Sequence, residues 1–163
     1  MSLGMHFAIN KTDVKKLLAL EEDEDRIEYV SDVIEERDDD WSVETDKSWF
    51  AIDLSFTAAD QDSRDIKIDG PLAFVIFGGQ WLCTGEEYVM VLKTPEQVQQ
   101  VAEQLSTITE AAFRARYRVI APTVYGEELN DEYEEYTWGY YSQVVEFYKK
   151  AAAAKRSVLF AVG

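Results

Sequence analysis

The chain has 163 residues, of which 47% are hydrophobic, and its 32 acidic residues outnumber its 16 basic residues, for a net charge of −16. This length suits a single domain with its own core. The charge argues against binding to nucleic acid or to an anionic membrane, because both surfaces would repel the chain. The only cysteine is Cys83, which excludes an internal disulfide and a thiolate zinc cluster and predicts a reducing cytoplasmic location.

The N-terminus is predicted to carry neither a signal peptide nor a membrane span. It lacks a basic region followed by an apolar one, and no apolar run approaches the roughly 20 residues of a membrane helix. Met1–Gly4 precede a second methionine, and this pattern predicts the remnant of an expression tag. We therefore predict a single domain over residues 5–163.

The first third of the chain is predicted to form a strand and two helices. Met5–Ile9 is typical of a short strand, and Asn10 is a good N-cap for a helix whose apolar face holds Val14, Leu17 and Leu18. The acidic run Glu21–Asp25 is typical of the first turn of a second helix. The apolar positions of that second helix are Ile27, Val30, Val33 and Ile34.

Two segments in the middle fit more than one structure. In Asp46–Phe56 the apolar residues alternate as in a strand, but Trp49, Ile52 and Phe56 also share a helical face, with Asp46 as N-cap. In Pro71–Phe77, the proline suits the first turn of a helix, whereas the three last residues suit a strand. Gly78-Gly79 is predicted to form a turn.

The second half has clearer signals. Tyr88–Leu92 is predicted to be a strand, and Thr94–Gln97 combines a cap, a first-turn proline and a capping box. The buried face of the following helix is predicted to hold Val98, Val101, Ala102 and Leu105. Thr109 is predicted to cap another helix, which carries Phe113 and Tyr117.

The last 34 residues are predicted to be a long helix followed by a buried strand. The strand is the uninterrupted apolar run Val158–Val162. The apolar stripe of the helix is Tyr133, Tyr136, Tyr140, Val144, Phe147 and Ala151. The predicted fold class is α+β, with a small sheet that contains the N-terminal and C-terminal strands and packs against several helices.

Several motifs, taken in order, resemble the YfbM-like family of small bacterial proteins, a domain of unknown function. They are Asp46-Lys47-Ser48-Trp49 with Ile52, Pro71-Leu72 with Gly78-Gly79, Thr94–Val98 with Phe113–Tyr117, and Phe147–Ala152 before the last strand. The resemblance spans nearly the whole chain from Met5. It implies an α+β fold with a helix over Asp46–Phe56. It implies nothing about activity, because the family has no established one. Asp53 stands where relatives often carry His, which implies that any family function of that His is lost or altered.

The chain offers few groups for catalysis or metal binding. His6 is the only histidine, so paired-His metal sites are excluded, and it is predicted to be a strand residue. No nucleophile elbow, Walker or dinucleotide-binding motif is present. The aspartates of Asp60–Asp69 resemble a calcium loop only faintly, because a mid-loop Gly and a bidentate Glu are missing. We therefore predict no catalytic residue, cofactor or metal.

Two groups of residues are candidates for binding. Arg114 and Arg118 share a helical face and could clamp a carboxylate or phosphate, although charge pairing with the acidic surface is the more ordinary interpretation. The second group is an acidic, aromatic face for a partner, although an aromatic stripe that faces the core, with its acids in water, is the more ordinary interpretation. This face is made by Tyr125, Glu128, Asp131, Glu134, Trp138 and Tyr141. Trp138 and Tyr141 lie off the main stripe and are predicted to be its exposed aromatics.

These features suggest two functions. The first is a non-catalytic domain that binds a basic protein, such as a toxin or nuclease, in the manner of an immunity factor. It is suggested by the acidity and by the missing catalytic set. The alternative is a small-ligand-binding protein or a hydrolase-type enzyme that uses carboxylates, tyrosines and the arginine pair. A deep pocket joining those groups would favour the alternative.

Overall fold

The computed structural model describes residues 2–37, 39–57, 70–85, 87–120 and 130–163. These residues contain five strands and six α-helices. The strands are β1 (Gly4–Ile9), β2 (Ser42–Asp46), β3 (Gln80–Thr84), β4 (Val89–Lys93) and β5 (Ser157–Val162). The helices are α1 (Lys11–Ala19), α2 (Asp23–Tyr29), α3 (Trp49–Thr57), α4 (Pro95–Ser106), α5 (Glu110–Arg118) and α6 (Asp131–Ala153). A π-helical turn, Val30–Ile34, extends α2, and Pro71–Phe74 forms a 3-10 turn.

The five strands form one antiparallel sheet in the order β2-β1-β5-β4-β3. The central strand β5 pairs with β1 on one side and with β4 on the other, and all six of its residues are buried. The predicted α+β fold, with both terminal strands in the sheet, is therefore confirmed. Strand β1 begins at Gly4, inside the segment predicted to be a tag remnant, because Gly4 pairs with Val162 of β5.

Helices cover both faces of the sheet, so successive residues of the central strands are buried on opposite sides. One layer consists of α1, α2 and the π-helical turn, and it packs on Phe7, Ile9, Leu159 and Ala161. The other layer contains α3, α4, α5 and α6, and the sheet residues beneath it are Ala8, Val158, Phe160 and Val162. This arrangement explains the uninterrupted apolar run of β5, because neither face of the strand meets water.

The helix caps predicted at Asn10, Thr94 and Thr109 are present. Asn10 Oδ1 accepts a hydrogen bond of 2.9 Å from the Asp13 backbone N–H, and Thr94 and Gln97 form a complete capping box. Thr109 caps α5 through a hydrogen bond from the Ala112 N–H. The four residues predicted for the buried face of α4 are all buried.

Each of the two ambiguous segments contains a helical part. Helix α3 begins at Trp49, as the family resemblance implies, but Asp46 is not its N-cap. Asp46 instead ends β2, with a left-handed φ of 44°, because pairing with β1 holds it in the sheet. Pro71–Phe74 is a 3-10 turn, and residues 75–77, for which a strand was the alternative, continue as a turn. The predicted turn follows, and its Gly79 has a φ of 129° that few other residues adopt.

The buried stripe of α6 differs from the predicted stripe in the N-terminal half of the helix. Val144, Phe147 and Ala151 are buried as predicted. Further toward the N-terminus, the buried positions are Glu134, Thr137 and Tyr141, whereas the predicted Tyr133, Tyr136 and Tyr140 are only half-buried. The Tyr136 hydroxyl donates a hydrogen bond of 2.7 Å to Asp46, so this line of phenols lies beside the end of β2.

The end of α6 has the Schellman geometry, in which a left-handed residue follows the helix. The Arg156 N–H donates to the Ala151 carbonyl and the Lys155 N–H to the Ala152 carbonyl, each at 3.0 Å. Lys155 takes the left-handed position, with a φ of 54°. Glycine is the usual residue there because a Cβ crowds the backbone in this conformation.

We expect Lys155→Gly to raise the free energy of unfolding by about 0.5–1 kcal/mol, because relief of the left-handed strain exceeds the extra chain entropy of glycine. Urea unfolding followed by circular dichroism measures this change. Lys149→Gly, inside α6, should instead lower stability by about 1 kcal/mol. A loss of stability in Lys155→Gly would contradict the assigned strain.

Candidate functional site

The two arginines of α5 bind a carboxylate of the chain itself. Glu134 of α6 is 4% exposed, and it accepts hydrogen bonds from Arg118 Nε at 2.9 Å and Nη2 at 2.8 Å, and from Arg114 Nη1 at 3.1 Å. The hydrogen bonds from Arg118 are the largest cause of a lowered pKa for Glu134. The two arginines therefore fasten α5 to α6.

Arg114 has further carboxylate partners besides Glu134. Arg114 also forms ion pairs with Glu110 at 2.9 Å and with Glu135 at 2.8 Å, so carboxylates meet it from two helices. An external anion would have to displace these partners. The structure thus favours the more ordinary interpretation, charge pairing with the acidic surface.

The predicted partner-binding residues do not form one exposed face. Tyr125 and Glu128 lie outside the described residues, Asp131 is exposed and Trp138 is half-buried. Glu134 is buried in its ion pairs, and Tyr141 is only 1% exposed. The expectation that Tyr141 is exposed is wrong, because its ring stacks on that of Phe113 at a centroid distance of 3.8 Å.

We expect Tyr141→Ala to lower the free energy of unfolding by about 3–4 kcal/mol, because it removes a buried ring from the stack. Tyr141→Phe is the matched control: the hydroxyl has no hydrogen-bond partner among the described residues, so its removal should be neutral or slightly stabilising. Denaturant unfolding of both variants measures the difference. A stable Tyr141→Ala protein would show that this ring does not hold α5 against α6.

Three buried side chains converge on the segment that follows the 3-10 turn. Lys93 Nζ donates to the Ile76 carbonyl at 2.6 Å, and the Tyr148 hydroxyl donates to the Val75 carbonyl at 2.7 Å. His6 Nε2 lies 3.0 Å from the Val75 oxygen, so this nitrogen carries the proton. All three side chains are completely buried. They supply hydrogen-bond donors to backbone carbonyls that belong to no strand or α-helix.

Burial controls the protonation of this cluster. Desolvation lowers the pKa of Lys93 to about 7, although the charge of Asp53 acts in the opposite direction. Desolvation also lowers the pKa of His6 to about 3, so its imidazole is neutral at physiological pH. Burial raises the pKa of Asp53 to about 6. The complete burial of His6 within β1 agrees with the prediction that it is a strand residue.

Residues of the family motifs surround this cluster. The ring of Trp49 meets that of Phe77 edge-on at 5.5 Å, and Asp53 interacts electrostatically with Lys93. At Gly78 an added Cβ would lie 2.4 Å from the Ala73 carbonyl oxygen, which explains glycine there. Lys47 lies apart, exposed, and its backbone N–H donates to the Tyr136 hydroxyl. These motifs therefore specify how the Pro71–Gly79 segment packs on the sheet.

Sequence reasoning missed Lys93 and Tyr148 as partners of this segment. The available signal was a lysine that directly follows the apolar run of β4, at a position that continues the sheet. Alone, that lysine fits the exposed end of a strand equally well. Its burial depends on the turn that covers it, which lies 17 residues earlier in the chain.

We expect the free energy of unfolding to rise between pH 7 and pH 9 because of Lys93. Its pKa is about 7 in the folded protein and 10.5 ordinarily, so the unfolded chain binds more protons in this window. The expected gain is about 2 kcal/mol, measured by urea unfolding at each pH. Lys93→Met should abolish the gain, and the exposed Lys149→Met should retain it. An unchanged pH dependence in Lys93→Met would refute this assignment.

A groove lies between α1 and the helical segment formed by α2 and the π-helical turn. We call it the acidic groove, and it is lined by Lys16, Leu20, Asp25, Glu28, Tyr29, Asp32 and Val33. Its volume is about 400 Å³. Val33, on its wall, is 39% exposed, and Leu18 on the same helix as Lys16 is 47% exposed. The groove thus combines an apolar lining with three carboxylates.

The negative charge around the acidic groove has little compensation. Arg26 and Arg37 are the only basic residues between positions 20 and 41. Arg37 forms a bidentate pair with the buried Asp13, and Arg26 binds Asp23 and the carbonyls of the preceding segment. The exposed acids of this stretch are Glu21, Glu22, Glu24, Asp25, Glu28, Asp32, Glu35, Glu36, Asp39 and Asp40.

Within the described ranges, no three or more His, Cys, Asp or Glu side chains are grouped so as to hold a metal ion. The aspartates of the faint calcium pattern lie outside those ranges. No α-helix in the described part of the chain has the length and apolar character needed to cross a bilayer.

Fold and sequence together define the class of protein. A family profile described as a domain of unknown function, DUF1877, matches residues 1–161, so the chain belongs to this family. Among solved structures, YfbM from Escherichia coli, a protein of unknown function, is similar over 99% of both chains, with a TM-score of 0.69 and 14% identity. At that identity the likeness establishes the fold alone. No functionally curated protein matches the sequence.

Proposed function

We propose that this chain is a non-catalytic protein-binding domain whose partner is a basic protein. The observation that carries the proposal is the acidic groove, where apolar side chains lie beside three carboxylates and a single lysine, Lys16. Protein interfaces combine an apolar centre with a polar rim, and complementary charge accelerates the encounter of the two partners. A basic surface with one or two protruding apolar side chains would complement this groove.

An immunity-type inhibitor of a basic toxin or nuclease is the form of this function that the charge favours. Nucleases carry basic surfaces for binding phosphates, and an acidic inhibitor can cover such a surface. The net charge of −16 supports this form. The free cysteine Cys83 is buried, which supports placing the function in the reducing cytoplasm.

The acidic groove supports this function better than the face predicted along α6. Of the residues of that face, Glu134 and Tyr141 are committed to the interior. Asp131 and Trp138 remain accessible, but Trp138 packs against the core and against the Arg114 guanidinium. An interface needs its anchoring side chains to be free for the partner.

The alternative, a small-ligand-binding protein or hydrolase-type enzyme, has less support from the same residues. Its arginine pair is engaged by Glu134. The Tyr136 hydroxyl is likewise engaged by Asp46, and the ring of Tyr141 is stacked in the core. The acidic groove, which brings carboxylates and Tyr29 together, contains no arginine.

The test is capture of partners from lysate of the source cells at low and then at high salt, with identification by mass spectrometry. We expect a stoichiometric basic protein that is released by salt, because exposed charges are screened within about 8–10 Å at physiological ionic strength. A groove variant that neutralises three carboxylates should bind this protein at least about tenfold more weakly. The substitutions are Asp25→Asn, Glu28→Gln and Asp32→Asn.

A control variant separates the groove from net charge. It neutralises three exposed carboxylates elsewhere, with the substitutions Glu96→Gln, Glu103→Gln and Glu132→Gln. The proposal expects this variant to bind the purified partner as the parent chain does in calorimetry. Equal weakening by both variants would show that only total charge matters. Absence of any partner at either salt concentration would overturn the protein-binding function.

A further inference from the structure

A second concave site lies at the edge of the sheet where β1 and β4 end. Both strands pair antiparallel with β5, which lies between them, so they run parallel to each other and end at the same edge. Strand β1 continues into α1 on one face of the sheet, and β4 continues into α4 on the other face. Connections that diverge in this way leave a crevice between them.

This cleft has a volume of about 200 Å³ and is the most cationic of the concave sites described here. Its lining includes Lys11, Lys155 and Arg156 and no acidic residue. Lys11 and Lys155 form no side-chain hydrogen bond or ion pair with any residue that the structure describes. Two unneutralised lysines at one cleft are unexpected in a chain with 32 acidic and 16 basic residues.

The third cation of the cleft is held in place without losing its charge. The Arg156 guanidinium lies 3.8 Å from the ring centre of Trp41, and its Nη1 donates to the Ala8 carbonyl at 3.1 Å. Neither partner is a carboxylate, so the positive charge remains available. A guanidinium fixed in this way loses little conformational freedom when it binds an anion.

The backbone adds to the positive potential of the cleft. Helices α1 and α4 both begin beside it, at Lys11 and at Pro95, and the N-terminal end of a helix carries partial positive charge, which one acid in each first turn, Asp13 and Glu96, partly offsets. Lys155 also occupies the left-handed position where glycine would be less strained. The chain therefore has a cation at this cleft despite the backbone preference for glycine.

We propose that this cleft binds the phosphate group of inorganic phosphate or of a small phosphomonoester. Convergent lysine and arginine side chains are typical of phosphate sites, and an arginine offers paired N–H donors to phosphate oxygens. The volume is below the roughly 300–1,000 Å³ of sites for drug-sized ligands, so the ligand has few atoms beyond the phosphate. A long nucleic acid does not fit, because the surrounding acidic surface repels a polyanion.

Calorimetric titration with inorganic phosphate and with glycerol phosphate tests this inference. We expect saturable binding of one phosphate group per chain. The double variant Lys11→Gln and Lys155→Gln should bind at least about tenfold more weakly, since two of three cations are lost. A matched double variant with the same net charge, Lys15→Gln and Lys149→Gln, should change binding less than about twofold, because its lysines do not line the cleft.

A single substitution distinguishes loss of the site from loss of the fold. Lys155→Gly should weaken phosphate binding while the protein becomes more stable to urea, because it removes a cation and relieves the backbone. No saturable binding of either probe up to about 10 mM would overturn the proposal. Equal weakening by the two double variants, or acetate binding as tightly as phosphate, would also overturn it.

Discussion

The rest of the structure depends on the burial of β5. This strand has paired neighbours at both edges and helices on both faces, so every backbone group and side chain in it is removed from water. Burial of this kind is favourable only if the backbone hydrogen bonds are made and the apolar side chains meet partners. The strands beside it satisfy the first condition, and the two helical layers satisfy the second. The C-terminal strand thus organises a chain whose N-terminal strand is its direct neighbour.

The acidity of the chain shapes how its cations are used. Several basic side chains are engaged internally: Arg37 binds buried Asp13, Arg114 and Arg118 hold Glu134, and Lys93 is enclosed beneath the Pro71–Gly79 segment. These interactions fasten helices and turns, so the negative charge of the α2 surface stays uncompensated. The cations of the cleft beside β1 and β4 contrast with this pattern, because carboxylates do not pair with Lys11 or Lys155 among the described residues.

The polar cluster under the Pro71–Gly79 segment illustrates why a perturbed pKa is not itself evidence of catalysis. The amine of Lys93 and the imidazole of His6 have strongly lowered pKa values because they are buried, and both are committed to backbone carbonyls. Such donors stabilise a segment that lacks regular hydrogen bonding. Residues of the family motifs contact this segment, so the motifs indicate how the turn packs on the sheet. The functional surfaces that we propose lie elsewhere, in the acidic groove and in the cationic cleft.

The sequence by itself determined the features that depend on neighbours in the chain. The caps at Asn10, Thr94 and Thr109, the buried face of α4 and the apolar run of β5 follow from local geometry and periodicity. Only the tertiary structure decided which aromatic line of α6 is buried, because Tyr136 and Tyr141 lie on adjacent lines and the choice depends on Phe113. The partners of the arginines on α5, the burial of Lys93, and both concave surfaces likewise require residues distant in sequence. Local signals carry no information about which distant side chain stands opposite, so these features emerge only when the sheet and its two helical layers assemble.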